Sequence, residues 1–458
     1  MAVVEFVGQS AQDADNIAAN PSRIVNFYRE PIVAGGKTRY ALKSVLGQEQ
    51  FATVDRLFVR AMGVVDGVAY IAAGGYLTRI SALGVATDLG AIADSAETTI
   101  SGNTGNVVVC AGGLYYVWDG LALSQPTGSS FTDFGSLETI GGYTVLTERN
   151  GRRIQWTDLV DPATFDALNF ATTEARDDDN LRAVAINGNL WIFKTASVEI
   201  YYITGQGTSS AFARVSGAVL DTGLKSFGLV TKFDGGAFFI GDDGIAYITS
   251  GAGLQPVSTP SVETSISQGE PSGCFYYEDE GHKFCVIRFE DRAAWCYDLS
   301  TGEWHERASG SALEAWSVRA MVKAYGKWLT IATGGQIGAM GRFNADFGGT
   351  LRRMAVSRTL YLGGDRFRVS FMEILMRMGR SYLGRPSAAR AAMLWVRVSK
   401  DGGQTWGAEK WRTISDQGQY TNTVRYRALG QFRQMTVELN ITDPTEIPVY
   451  CDANVVVQ

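Results

Sequence analysis

From Gly142 to Gly205 short apolar runs alternate with turns: TVLTER and RIQWTD about Asn150-Gly151, then LRAVAI, LWIFKT and VEIYYI beyond Asn187-Gly188-Asn189. Successive side chains of a strand point to opposite faces, so this alternation predicts strands, and nothing in the stretch has a helical period. Asn-Gly between two such runs predicts a hairpin, because a type I′ turn needs positive φ at both central residues. The residues between the two pairs, LVDPATFDALNFATTEARDDDN, read as an acidic, turn-rich loop.

The same unit recurs along most of the chain. A turn leads into an apolar run, a second turn and another strand, starting near Asp66, Asn106, Gly142, Gly188, Gly235, Gly281 and Gly326. These starts lie 40, 36, 46, 47, 46 and 45 residues apart. One four-stranded propeller blade occupies about 40–45 residues, and a small twisted sheet cannot bury both faces until others stack against it. The pattern predicts six or seven blades, one of them incomplete or shared with an N-terminal strand. Before residue 55 the pattern is weak. After about Phe343 the strands lengthen and alternate more cleanly (RFRVSFMEILMRM, AMLWVRVS, QYTNTVRYRALGQFRQMTVELNI, IPVYCDANVVV), which predicts an antiparallel sandwich. The expected fold is therefore all-β: a six- or seven-bladed β-propeller followed by a C-terminal β-sandwich-like domain. Its expected divisions are an N-terminal arm that closes the propeller or docks (1–55), the propeller (56–344) and the sandwich (345–458).

Composition adds to this picture. The 53 glycines are dispersed, as punctuation of many short strands requires. No apolar run is long enough to span a membrane, and MAVVEFVGQSAQDADN lacks the features of a signal peptide. The five cysteines include no CxxC pair, and Cys285 and Cys296 fall in apolar runs. Buried free thiols are the reading, with disulfides as the alternative. The net charge of −6 is unevenly placed: from Arg342 onward 17 basic residues face 10 acidic, a net of +7, leaving 24 against 37, or −13, for the rest. A basic loop is expected over 377–390.

Candidate chemistry is sparse. Ser399, Asp401, Gly403, Thr405 and Trp406 fit the Asp-box pattern S-x-D-x-G-x-T-W, whose role is structural: the carboxylate takes turn amides and the indole packs beneath the hairpin. Asp177-Asp178-Asp179 lacks the alternation of a calcium loop and reads as a strand-capping loop. Asp242-Asp243-Gly244 reads as a turn with Gly244 at positive φ. His282, expected in a turn, and His305 have no ligand-spaced partners, and no nucleophile, phosphate-loop or dinucleotide motif is present. No catalytic, metal or cofactor residue is expected. The rival to a structural role is a carbohydrate-binding or glycoside-cleaving propeller, for which an arginine-lined axial pocket would speak.

Trp156-Thr157-Asp158, Asp161-Pro162, Glu174 and then Trp191 and Glu199 lie in an order that resembles the hub, or packaged-DNA-stabilisation, proteins of short-tailed bacteriophages. Asn26-Phe27-Tyr28 with Glu30, Gly36-Lys37, Leu42 and Leu46-Gly47 resemble that family's N-terminal pattern. Thr259 with Val262-Glu263, and Tyr297-Asp298, Thr301-Gly302 and Trp304-His305-Glu306-Arg307, resemble later ones. Phe165 stands where the family usually has Trp. The resemblance covers about residues 20–340. It implies a structural protein of the virion tail, made in the host cytoplasm and assembled as a homohexamer beneath the portal and adaptor. That ring would continue the DNA channel, pass double-stranded DNA without reading its sequence, and dock fibres or spikes and a plug or needle. It implies no catalytic residue. An acidic channel wall would repel DNA phosphates over a Debye length of roughly 8–10 Å.

Overall fold

The computed structural model describes residues 2–8, 22–32, 39–54, 56, 58–332, 334–379, 392–415, 418–444 and 449–457. Among the described residues seven four-stranded antiparallel units succeed one another along the chain, five as separate sheets and two as parts of larger ones. Six are continuous in sequence, spanning 59–91, 98–124, 134–172, 180–220, 230–256 and 271–307. The seventh takes three strands from 318–341 and its outermost from Gly47–Thr53, which pairs antiparallel with Gln336–Gly341. The propeller thus has seven blades, and an N-terminal strand closes the last.

Each blade's first two strands meet in the same kind of turn, which explains the regular beat. In Asn187-Gly188 both residues have positive φ (50° and 77°), and the turns at 66–67, 104–105, 141–142, 280–281 and 325–326 match it; in the fifth blade only Gly235 does. The expected Asn150-Gly151 turn differs. Asn150 has φ 49° but Gly151 does not enter the left-handed region. Thr147 pairs with Ile154 across a longer connection, which an Arg153–Glu148 ion pair of 2.5 Å clasps.

Apolar faces close between blades rather than within them. Tyr70, Ala72 and Leu77 of the first blade pack on Val107, Val109 and Tyr116 of the second. Ala69, Ile71 and Ile80 pack on Leu329, Ile331 and Ile337 of the seventh, which completes the circle. The stretch expected as an acidic loop is a strand, Asp161–Thr172, the outermost of the third blade, with register shifts against Arg153–Asp158. A nine-residue helix, Pro260–Gln268, not foreseen from the sequence, buries Val262 and Ile266 beside the fifth and sixth blades.

The remaining strands form a two-sheet sandwich. One sheet has the order Phe27–Pro31, Tyr40–Ser44, Val449–Val457, Phe367–Met376, Val424–Phe432, with Ala2–Glu5 paired to Val449–Val457. The other runs Arg23–Val25, Arg353–Val356, Gln434–Ile441, Met393–Ser399, Lys410–Thr413, and joins the outer edge of the sixth blade through Val25 and Glu306. Leu42, Val369, Met372, Leu394, Val396, Leu439 and Ile441 fill the space between them. Ala2–Glu5, Arg23–Val25 and Tyr40–Ser44, from a stretch that showed little pattern, therefore pair with strands hundreds of residues away, and Phe27–Pro31 pairs with Tyr40–Ser44. Most of the basic loop expected over 377–390, and Gly36-Lys37, lie outside the described residues.

Candidate functional site

Two of the sequence patterns, some 280 positions apart, meet where propeller and sandwich join. Asn26 sits at φ 56° between two N-terminal strands. Its amide donates to the carbonyls of Ala308 (2.9 Å) and Arg352 (2.7 Å), while its oxygen accepts from the Ala308 N–H (3.0 Å). One side chain thereby ties the N-terminus, the sixth blade and the start of the sandwich. Arg23 forks onto Glu306 with both contacts at 2.6 Å, and Arg29 pairs with Glu303 at 3.0 Å. Arg307, wholly buried, donates to the Leu46 carbonyl (2.8 Å) and Tyr277 hydroxyl (3.1 Å) and lies 4.1 Å from the Trp316 ring centre. Gly47 next to it must be glycine, since a Cβ would stand 2.3 Å from the Ala345 carbonyl oxygen. Asp279, Arg342, Glu438 and Arg397 extend the seam, Arg342 holding Asp279 at 2.9 Å and Arg397 holding Glu438 at 2.6 Å. Sequence reading missed these four, for nothing near them in the chain announces a partner. A buried network with its members paired fixes one arrangement of the two domains.

The histidines belong to this seam. His282 begins a strand rather than lying in a turn, with Nδ1 2.6 Å from Asp298 Oδ2. Asp298 also accepts from the Ser300 N–H and Thr301 hydroxyl, both at 2.9 Å, which braces the turn at Gly302. His305 is buried among Tyr28 and Phe284, and its Nε2 has no hydrogen-bond partner. Burial pushes its imidazole down to about 3, with Asp298 opposing and Arg307 and His282 adding. Its folded pKa lies below the unfolded value of about 6.5, so the unfolded chain binds the extra proton between those limits. Stability from this residue is complete above pH 6.5 and is lost as pH falls toward 3. Going from pH 7 to pH 5 should cost about 2 kcal/mol through His305. Urea midpoints of the protein and of His305→Phe should therefore converge in slope only above pH 6.5, with the variant flatter below it.

The segment from Trp156 to Glu199 is organised around a buried cation. Lys194, with no exposed surface, pairs with Glu199 (3.0 Å), also fully buried, and with Asp178 (2.8 Å). Glu199 further accepts from the Tyr201 hydroxyl (3.1 Å) and the Ala175 N–H (3.2 Å). Burial would raise the Asp178 carboxyl, but Lys194, the Ala196 N–H and Ser197 outweigh it and hold it below its usual range. Asp178 is thus a ligand for Lys194, and Asp177 pairs with Arg152 at 2.6 Å. Trp156, buried, donates to the Thr208 carbonyl (2.7 Å). Asp158 accepts from Asn169 (3.0 Å), Asp161 from the Ala163 N–H (3.0 Å), and the Pro162 carbonyl from Tyr115 (2.9 Å). Trp191 is buried, Glu174 exposed. These residues tie the second blade to the third and the third to the fourth and do not converge on a cleft.

In the Asp-box hairpin Asp401 accepts from Ser399 (2.6 Å) and from both the N–H (2.9 Å) and the hydroxyl of Thr405. Gly402 and Gly403 have φ of 75° and 99°, and Trp406 packs on Val25, Ala308 and Met354 at the seam. These hydrogen bonds hold the Asp401 carboxyl well below the usual carboxylate range. Asp401→Ala should speed hydrogen exchange at the Thr405 amide while leaving that of Val437 in the neighbouring strand unchanged. Asp242 and Asp243 likewise cap turns, and Gly244 has φ 81°. Cys110, Cys274, Cys285 and Cys296 are free thiols. Among the described residues no His, Cys, Asp and Glu cluster has the arrangement of a metal centre, and no helix is long and apolar enough to cross a membrane.

Two family models match the chain. "Bacteriophage P22 Gp10, beta-propeller" covers residues 6–345, and "Bacteriophage P22 Gp10, beta-sandwich" covers 352–449. No curated protein matches it. Among solved structures, it is similar to the computationally designed Ika8 protein (15% identity, 72% of this chain and 99% of that one, TM-score 0.40). It is also similar to BamB from Moraxella catarrhalis (11%, 74% and 98%, 0.42) and to the Neurospora crassa Pan2 WD40 domain (8%, 64% and 95%, 0.44).

Proposed function

The chain belongs to the phage P22 Gp10 family, the tail hub or packaged-DNA-stabilisation proteins of short-tailed phages, and from that premise we propose that its copies form a hexameric ring below the portal and adaptor. The ring continues the DNA channel, helps retain the packaged genome and guides its exit. Its outer surface docks fibres or spikes, and its far end a plug or needle. The chain performs no catalysis in this role.

The observation that carries the reading is the family match over both domains in order. The interior of a single propeller supports it. The innermost strands line a cavity of about 570 Å³ on the blade axis, the volume of a small-molecule site rather than of a duplex channel. On this reading the DNA conduit lies between copies. The acidic part of the chain, net −13 before Arg342, suits a wall along which phosphates slide without sticking. Electron-microscopy class averages of the protein with its adaptor should show sixfold rings with an open lumen wide enough for duplex DNA. A chain that stays monomeric with the adaptor present, and is missing from purified virions, would overturn the reading.

A further inference from the structure

Exposed apolar side chains are unevenly placed on this molecule. Among the described residues the large ones fall on the first four blades or their flanks and on the sandwich, and the fifth, sixth and seventh blades carry none. In each of the first three blades the turn from third to fourth strand presents a leucine: Leu83 (91% exposed), Leu121 (89%) and Leu159. Leu168 and Phe170 follow on the outermost strand of the third blade.

These turns open on one face. In an antiparallel blade the third turn shares an end with the first hairpin. The first strands of the three blades run side by side in parallel, with Gly63 beside Ile100, Gly102 beside Val65, the Leu137 N–H on the Thr99 hydroxyl (3.0 Å) and Asn103 on the Gly142 carbonyl (3.1 Å). Their rims adjoin as well, since Gly90 lies beside Leu123 and Tyr115 reaches the Pro162 carbonyl. Asp119, Asp161 and Asp166 stand among the leucines, exposed and without an ion pair among the described residues. Residues 59–172 hold eleven acidic side chains against five basic, a net of −6.

The opposite charge collects at the other end of the molecule. In the closed circle of seven blades the second and third are farthest from the sixth, which carries the sandwich. Phe27–Pro31 and Tyr40–Ser44 approach that blade through Arg29–Glu303 (3.0 Å) and Lys43–Glu280 (2.7 Å), and Val424–Phe432 forms the far edge of the same sheet. Arg368 lies between the core residues Phe367 and Val369 and so points outward. Arg366 and Arg433 flank the paired Phe367 and Phe432, and Arg427 pairs with Phe371. All four arginines are exposed and make no ion pair among the described residues. Exposed Tyr361 and Leu362 adjoin them, Tyr361 pairing with Gln434.

We propose that each copy seats the arginine edge of its sandwich on the acidic, leucine-bearing rim of blades one to three of the next copy, an inference that rests on the ring reading above. A head-to-tail contact of this kind uses two different surfaces of one chain, and its repetition closes into a ring. Guanidinium and carboxylate groups without partners inside a chain find them between chains, and the apolar side chains of both patches leave water together. Matched charge also fixes which surfaces meet.

Electron microscopy of the full chain with its adaptor, after charge reversal, tests the contact. Asp161→Arg with Asp166→Arg makes both patches basic, and Arg368→Glu with Arg433→Glu makes both acidic. Each variant alone should lose the rings. An equimolar mixture should restore them, because every contact in an alternating ring then joins opposite charges. Leu121→Ser with Leu168→Ser, which alters no charge, should also disperse the rings, and it stands in should a reversed variant lose its thermal midpoint. Rings from either reversed variant alone, or a mixture that stays dispersed, would overturn the proposal. So would arginine-reversed rings that form normally yet lose affinity for duplex DNA, an outcome that gives the arginine edge to nucleic acid. An unaltered chain that forms no ring overturns the hub reading as well, whereas rings insensitive to these changes overturn this contact alone.

Discussion

A chain lacking residues 1–53 is expected to lose its cooperative unfolding transition. The deletion removes the outermost strand of the seventh blade, Gly47–Thr53, whose Gln48 is buried and bonded to Thr330 at 2.5 Å. It also strips four strands from the sandwich sheets and takes Asn26, Tyr28 and Leu46 from the seam. A propeller left open exposes an unpaired strand edge and the apolar face that Phe51 and Ala52 cover. Heating monitored by near-ultraviolet circular dichroism should show no sharp transition, and the protein should bind a hydrophobic dye at 25 °C. A truncated chain that melted within a few degrees of the intact one would show that the blades close without the N-terminal strand.

Glu199→Ala should have the largest effect of any single substitution between the third and fourth blades. It leaves Lys194 buried, with only Asp178 as counter-charge, takes the acceptor from the Ala175 N–H and leaves the Tyr201 hydroxyl with only the Thr172 carbonyl at 3.4 Å. Breaking a buried pair by removing one partner typically costs about 3–5 kcal/mol. The double variant Lys194→Met with Glu199→Leu should recover part of that, because the two fully buried charges go together and Asp178 keeps the Ala196 N–H and Ser197 hydroxyl. Urea titrations of the two variants read the difference. A loss below about 1 kcal/mol for Glu199→Ala would mean that water or Asp178 already satisfies the lysine.

What could be read from the sequence follows what is local. Gly67, Gly105, Gly142, Gly188, Gly281 and Gly326 sit at positive φ in two-residue turns, and that requirement is written at the turn itself, so the blade repeat stood out. Asp161–Thr172 was misread because an outermost blade strand is largely exposed and need not alternate; Asp166, Ala167 and Leu168 all face solvent. The N-terminal strands were missed for a different reason. Arg23–Val25 pairs with Arg353–Val356, and Tyr40–Ser44 with Val449–Val457, so their apolar positions answer a surface that does not yet exist when the stretch is read alone. The lysine in LWIFKT did carry a signal. A charged residue ending an apolar run, with an acid five residues on, is what a buried pair across a tight hairpin requires.

The strand that closes the seventh blade is made roughly 280 residues before the strand it pairs with. Until that strand arrives, it has no native partner, and contacts so distant in sequence form slowly. A nascent chain that stops short of residue 341 can therefore complete neither the ring of blades nor the sandwich. Incomplete products keep unpaired strand edges and an unclosed core, which leaves them open to proteases.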